Sequence, residues 1–144
     1  MTPASVPGFA DAPGGADNPL LDELGIRLVD VGAGRASFEI DVQPRHLNRQ
    51  GSLQGGVTAT LLDAACGYAG LAGTDGAGLG NAVTLTLAIS YIAKVRAGRL
   101  VAHGHVTKMG RSVYFSRGEL VGASGDLIAT AQGAFKRTPQ RLEA

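Results

Sequence analysis

Residues 55–73, GGVTATLLDAACGYAGLAG, constrain this chain more than any other stretch. Between Arg49 and Asp75 there is one charged residue, Asp63. Burying an unpaired carboxylate is expensive, so a folded chain keeps one in such a run only for a reason. The run is nearly long enough to cross a bilayer, but a central Asp costs about 2.5–3.5 kcal/mol on insertion scales. Glycines interrupt it, two of them at its start, and no Lys or Arg flanks its far side closely. A helix that is apolar all round is also what a fully enclosed central helix looks like, and that is the reading adopted.

The rest of the chain supplies something to enclose it. NPLLDELG, residues 18–25, reads as a short helix with Asn18 as cap, Pro19 at its first position and Gly25 as stop. IRLVDV and RASFEIDV alternate as two strands broken at Gly32 and Gly34, and Pro44 ends the second. QPRHLNRQGSLQGG is loop, the long helix covers about 56–72, and GTDGAGLGN is loop again. Four β-like runs follow: AVTLTLAISYIAK, LVAHGHVTK, SVYFSRGELV and LIATAQGAFKR, separated by the turn signals RAGR, MGR and GASGD. Strands and helices in blocks with hairpin-length turns predict an α+β fold, an antiparallel sheet of about six strands curled around the long helix. Such a sheet has two edges and an outer face to hide, which favours an oligomer.

At 144 residues the chain is long enough for one domain with a real core, expected over 18–140. Residues 1–17 are rich in Pro, Gly and Ala and read as a mobile tail; they lack the basic start and apolar run of a secretory signal. A net charge of +1 argues against a broad nucleic-acid or anionic-membrane surface, while leaving room for a small basic pocket. The single cysteine, Cys66, precludes an intramolecular disulfide and fits a reducing, cytoplasmic setting.

Gly55 and Gly56 open the long helix. The first N–H groups of a helix have no internal partner and carry the positive end of its dipole. Glycines let a ligand approach that backbone closely, so a carbonyl placed there would meet donors as its oxygen gains charge, an oxyanion hole. A plain turn before a helix is the competing reading. Asp63 lies eight residues on, about 12 Å along the axis, too far to act on a group bound at the same helix's start.

The segment HLNRQGSLQGGVTATLLDAACGYAG resembles the PaaI-type acyl-CoA thioesterases of the hotdog superfamily. The shared pattern is Asn48 in the loop, Gly51 three residues on, then Gln54-Gly55-Gly56 opening the helix and Asp63 two turns in. AVTLTLAISYIAKVRAG and HVTKMGRSVYF look like the strands that follow in that family. The likeness covers roughly residues 20–138. It departs at Gln54, where the family carries His; Gln can donate through its amide but does not titrate.

The resemblance implies a hotdog fold and hydrolysis of an acyl-CoA, with the acid of one subunit facing the Asn and Gly of its neighbour in a dimer or dimer of dimers. It implies that Asp63 attacks the thioester carbon or activates water. It implies that the Gly55 N–H polarises the carbonyl, and that Asn48, Gln54 and Thr84 position substrate and water. Thr84 also has an ordinary reading as a β-branched strand residue. Gly56 and Tyr91 would contact substrate. Lys108, Gly110, Arg111 and Ser112 at the MGR turn, with Lys136 and Arg137 at the end of the last strand, would hold the phosphates of CoA; a solvated hairpin is the alternative. Tyr68 either lines the acyl pocket or packs in the core.

Neither metal nor separate cofactor is expected, CoA being part of the substrate, and no nucleic-acid or membrane partner is expected either. Cys66 reads as an inert buried thiol. His103 and His105 share a strand face, but two His alone make a poor metal site. The acyl group stays open between an aryl-acetyl or aryl type, the family's association with phenylacetate degradation, and a medium-chain type. Two other readings remain: a protein that binds acyl-CoA without hydrolysing it, which Gln54 favours, and a hydratase, which would need a His beside Asp63.

Overall fold

The computed structural model describes residues 18–72 and 78–139; the expected tail at 1–17 and part of the loop after the long helix lie outside the described residues. A short helix α1 (Pro19–Leu24) is capped by the Asn18 side chain and stopped by Gly25 in the left-handed conformation. Strands β1 (Arg27–Gly32) and β2 (Arg35–Val42) form a hairpin, the central helix α2 spans Gly55–Tyr68, and β3 (Asn81–Tyr91), β4 (Gly98–Met109), β5 (Val113–Gly122) and β6 (Leu127–Thr138) complete the chain. The strands make one antiparallel sheet in the order β1-β2-β4-β5-β6-β3. This is the hotdog arrangement, a curved sheet around one helix.

Alternation along the strands explains the core. Ala36, Phe38 and Ile40 of β2, Leu100 and Ala102 of β4, and Tyr114 and Leu120 of β5 point toward α2, which buries Leu61, Leu62, Ala65 and Cys66 against them. Helix and sheet come closest at Gly104, where a Cβ would sit 2.2 Å from the Ala65 carbonyl oxygen. Only glycine allows that approach.

Two element ends differ from the sequence reading. α2 ends at Tyr68 rather than near 72, because the Tyr114 ring lies against Gly70 and the Tyr114 hydroxyl donates to the Gly67 carbonyl. The chain there tightens into turns in which Gly70 N bonds to Gly67 O and Leu71 N to Tyr68 O. β3 ends at Tyr91 rather than 94. Ile92 and Ala93 both bond back to Ile128 O, and the chain then leaves the sheet so that Val95 O accepts from Leu53 N. That crossing ties β3's exit to the loop before α2.

Candidate active site

The loop before α2 is held by residues that carry no chemistry of their own. His46 is buried, its Nδ1 accepting from Gln43 N at 2.8 Å and its Nε2 lying 2.7 Å from Leu24 O. The backbone donor at Nδ1 fixes a neutral ring with the proton on Nε2, which donates to that carbonyl. Arg45 donates to the Glu23 carbonyl from the same turn. Together they pin the loop to the end of α1. Within it, Asn48 Oδ1 accepts from Gln50 N at 2.9 Å and Ser52 N at 3.1 Å, with Gly51 supplying the positive φ of the turn. The Asn48 amide nitrogen has no hydrogen-bond partner among the described residues and stands at the wall of a pocket.

α2 begins on a backbone strongly held on one side and open on the other. Gln54 N donates to His46 O, and Gln54 O accepts from both Val57 N and Thr58 N. Those two bonds polarise the Gln54–Gly55 peptide and so its free N–H. The Gln54 side chain is exposed and makes no capping bond. On the other side Tyr91 Oη donates to Gly55 O at 2.7 Å, and its ring packs against Gly55. Nothing lies within 4 Å of a Cβ built on Gly56. The N–H groups of Gly55 and Gly56 have no partner among the described residues.

Asp63 stands one face around the helix, half-buried, and its Oδ1 accepts from Thr84 Oγ1 at 2.7 Å. The carboxylate is therefore neither unpaired nor sealed in the core. Thr84 and Tyr91 both bond to α2, yet an odd spacing on one strand normally places two side chains on opposite faces. The β3–β6 register slips between Thr84 and Thr86. That bulge resets the alternation, so Ala82 and Thr84 before it and Leu87, Ile89 and Tyr91 after it all turn toward the helix. The sequence reading placed both residues in the site without seeing the device that puts them there.

The predicted residues fall into three groups. Asn48, Gly55 and Tyr91 line a cavity of about 380 Å³ at the start of α2, together with Ser52 and Lys94. Asp63 and Thr84 line a second one of about 210 Å³, whose other walls are mainly apolar. Within one copy of the chain the acid is not brought to the open N–H groups.

The basic turn forms a third group, at the opposite end of α2 from Gly55. Arg137 N bonds to Ser112 O and Gly110 N to Val113 O, closing the β4–β5 turn against the end of β6. The Arg137 guanidinium lies 5.2 Å from the Tyr114 ring centroid and donates to Met109 Sδ at 2.8 Å, which fixes its direction. Lys108, Arg111 and Ser112 are exposed beside it, and Lys136 is exposed on the same strand end.

The remaining candidates have structural places. Cys66 is buried and its thiol is pushed up to about 12 by burial, with the Asp63 charge adding to the effect. A thiol so held stays protonated and is no nucleophile. His103 lies on the outer face of the sheet, its Nδ1 2.8 Å from Ser37 Oγ. Among the described residues no three His, Cys, Asp or Glu side chains gather as a metal site would require, and no helix is long and apolar enough to cross a membrane.

Comparison with known proteins gives the family and the fold. The family model of the thioesterase superfamily matches residues 50–129. Acyl-coenzyme A thioesterase 13 of Homo sapiens is 35% identical over 106 residues, covering 72% of this chain and 74% of the relative. Among solved structures, PaaI from the phenylacetic acid degradation operon of E. coli superposes with a TM-score of 0.76 at 25% identity, covering 85% of this chain and 86% of that one. A mutant of the phenylacetic acid degradation protein PaaI from Thermus thermophilus gives a TM-score of 0.73 at 27% identity, covering 84% of this chain and all of that one (100%).

Proposed function

The chain belongs to the thioesterase superfamily and is a thioester hydrolase; from that premise we propose that it splits an acyl-CoA and water into a free acid and CoA, at a site completed by a second copy of itself. The observation that carries the reading is the Asp63–Thr84 pair, a carboxylate held by one hydroxyl at the mouth of an apolar pocket. The thioester carbonyl lies on the free Gly55 N–H of one subunit, with the Asn48 amide beside it. Asp63 of the other subunit faces the carbonyl carbon. As the oxygen gains negative charge, the helix N-terminus stabilises it.

Asp63 then acts by one of two balanced routes. Its oxygen attacks the carbon, CoA leaves as thiolate, and water hydrolyses the resulting anhydride. Alternatively it takes a proton from a water that attacks directly, and the thiolate leaving group is protonated. A single turnover in ¹⁸O-water separates them: direct attack by water puts the label into the acid product at once, whereas opening of the anhydride at the Asp63 carbon leaves the first acid product unlabelled and the label in the Asp63 carboxylate.

The edge of the sheet supports the assembly. Among the described residues β3 is unpaired on its outer side, and Val83 and Leu85 along it and Ile92 just past its end are about half exposed, at 49%, 51% and 54%. An apolar open edge of this kind is a template for another strand. A β3-to-β3 dimer covers it and sets Asp63 of each copy beside the helix start of the other, and two such dimers can assemble back to back. Lys108, Arg111 and Arg137 hold the CoA phosphates, Gly110 and Ser112 shape that turn, and Gly56 and Tyr91 border the thioester. The substrate is an aryl-acetyl, aryl or medium-chain acyl-CoA, and the setting is cytoplasmic.

The test is release of free thiol from a panel of aryl- and alkyl-acyl-CoAs by the wild type and by Asp63→Asn. Turnover of one acyl class that the Asn variant loses, while still binding CoA, supports the reading. Binding of acyl-CoA without thiol release by either protein would favour the second reading, a non-hydrolytic binder, for which the non-titrating Gln54 at the helix start is the specific observation.

A further inference from the structure

We infer that the cavity beside Asp63 receives the acyl group, and that Tyr68, tied to α1 through Asn18, is the wall that limits its length. The inference rests on the thioesterase reading. Both cavities mix polar and apolar walls, and they differ in which groups they carry. The one at Gly55 holds Asn48, Gln50, Ser52 and Lys94, donors and acceptors for the amide-bearing arm of CoA, beside Leu53 and Ile92. The one at Asp63 continues from the carboxylate into Leu20, Leu21, Ala64, Tyr68, Leu71 and Phe135, which suit a hydrocarbon. A thioester held between Asp63 and a neighbour's Gly55 therefore points its acyl end into the second cavity and its pantetheine end into the first.

The far wall is built and braced. The Tyr68 ring stands edge-on to Phe38, with centroids 5.0 Å apart at 85°. Asn18 Nδ2 donates to its hydroxyl at 3.4 Å, and the same Asn18 caps α1. Leu20, on that short helix, lines the cavity although it is 58% exposed. The position of α1 thus sets both the rim and, through Asn18, the wall. The cavity, about 210 Å³, is the smaller of the two and open on one side. With the Tyr68 ring across its end it suits a short or medium acyl group or a benzyl ring and excludes a long straight chain.

The experiment measures equilibrium binding of S-alkyl-CoA thioethers of increasing length alongside hydrolysis of the matching acyl-CoAs. Each methylene that enters the cavity tightens binding about fourfold, and the gain stops where the chain meets Tyr68. Wild type is expected to gain affinity over the shorter chains and to stop gaining within the medium-chain range. Tyr68→Leu moves the limit to longer chains; Leu20→Trp, at an exposed position that tolerates a larger side chain, moves it to shorter ones. Limits that stay where the wild type has them in both variants overturn the inference, as does affinity that keeps rising to sixteen carbons in the wild type. If Tyr68→Leu fails to fold, Leu20→Trp alone decides. If no acyl-CoA is hydrolysed but the thioether limit exists and moves with the variants, the hydrolase reading falls and the cavity assignment stands.

Discussion

Replacing Gly104 with Ala tests whether the site depends on the closest contact between helix and sheet. The added Cβ would stand 2.2 Å from the Ala65 carbonyl oxygen, 2.4 Å from its carbon and 2.8 Å from Cys66 N. All three atoms are helix backbone, so no side-chain rotation relieves the overlap. Restoring ordinary contact needs a helix shift of roughly 1 Å in a densely packed interior. Overpacking of this kind costs about 1–3 kcal/mol, which lowers the melting temperature by about 3–10 °C in a domain of this size. Asp63 lies on the same helix turn, and a displacement near 1 Å at a reacting group can cost about a hundredfold in rate. Gly56→Ala is the contrasting variant. Its methyl meets nothing within 4 Å, so stability holds or rises slightly, while the methyl stands where the thioester approaches the helix start. Thermal melts by circular dichroism at fixed protein concentration and thiol release are measured for both. A Gly104→Ala protein that melts within about 1 °C of wild type and turns over normally would refute the close packing from which the site's geometry is argued.

Thr84→Val removes the donor that positions Asp63 Oδ1; a displacement near 1 Å at a reacting group can cost about a hundredfold, so kcat/KM should fall at least tenfold, and unchanged kcat/KM would remove Thr84 from the site. Gln54→His introduces a group that titrates near pH 6.5, so the rate should gain a pH dependence there that the wild type lacks; identical profiles would show that position 54 does not reach the reacting atoms. Burial raises Cys66 from 9.0 to about 12 and Tyr114 from 10.0 to about 12. The unfolded chain therefore loses those protons first, and stability that is present below pH 9 is lost progressively toward pH 12. Denaturant midpoints across that window check this, and a flat midpoint would contradict it. The same burial predicts that native Cys66 resists alkylation at pH 8 and reacts once the chain is unfolded.

Much of the fold was legible because its signals are local. Alternating strands, Gly-containing turns and the Asn18–Pro19–Gly25 helix punctuation follow from short-range chemistry, and they place the six strands and two α-helices of the described residues. Ends were less legible where distant residues decide them: α2 stops at Tyr68 because Tyr114, far along the chain, takes the Gly67 carbonyl and crowds Gly70. The pairing of β3 with β6 at the far end of the sheet is likewise a long-range choice. In the site, a place for Thr84 beside the acid and its water was implied by the resemblance, but the bulge that aims Thr84 and Tyr91 at one helix leaves no mark in the alternation of AVTLTLAISY. His46 carried no signal at all. It is a lone histidine in a segment that reads as loop and that the structure winds into a short 3-10 helix, Pro44–His46; only its two backbone partners reveal that it anchors the loop bearing Asn48.

The central claim is that each site is shared, an acid from one subunit acting on a thioester held by the next. Mixing two inactive variants tests it. Asp63→Asn removes the acid. Asn48→Asp keeps the acceptor oxygen that closes the loop through Gln50 N and Ser52 N, while replacing the free amide nitrogen. After unfolding and refolding together in equal amounts, half the dimers contain one of each, and every mixed dimer carries one undamaged site. Two-fold sharing requires recovery of about a quarter of wild-type thiol release. Activity no higher than that of the two variants refolded separately would contradict it and place the whole reaction within a single copy of the chain.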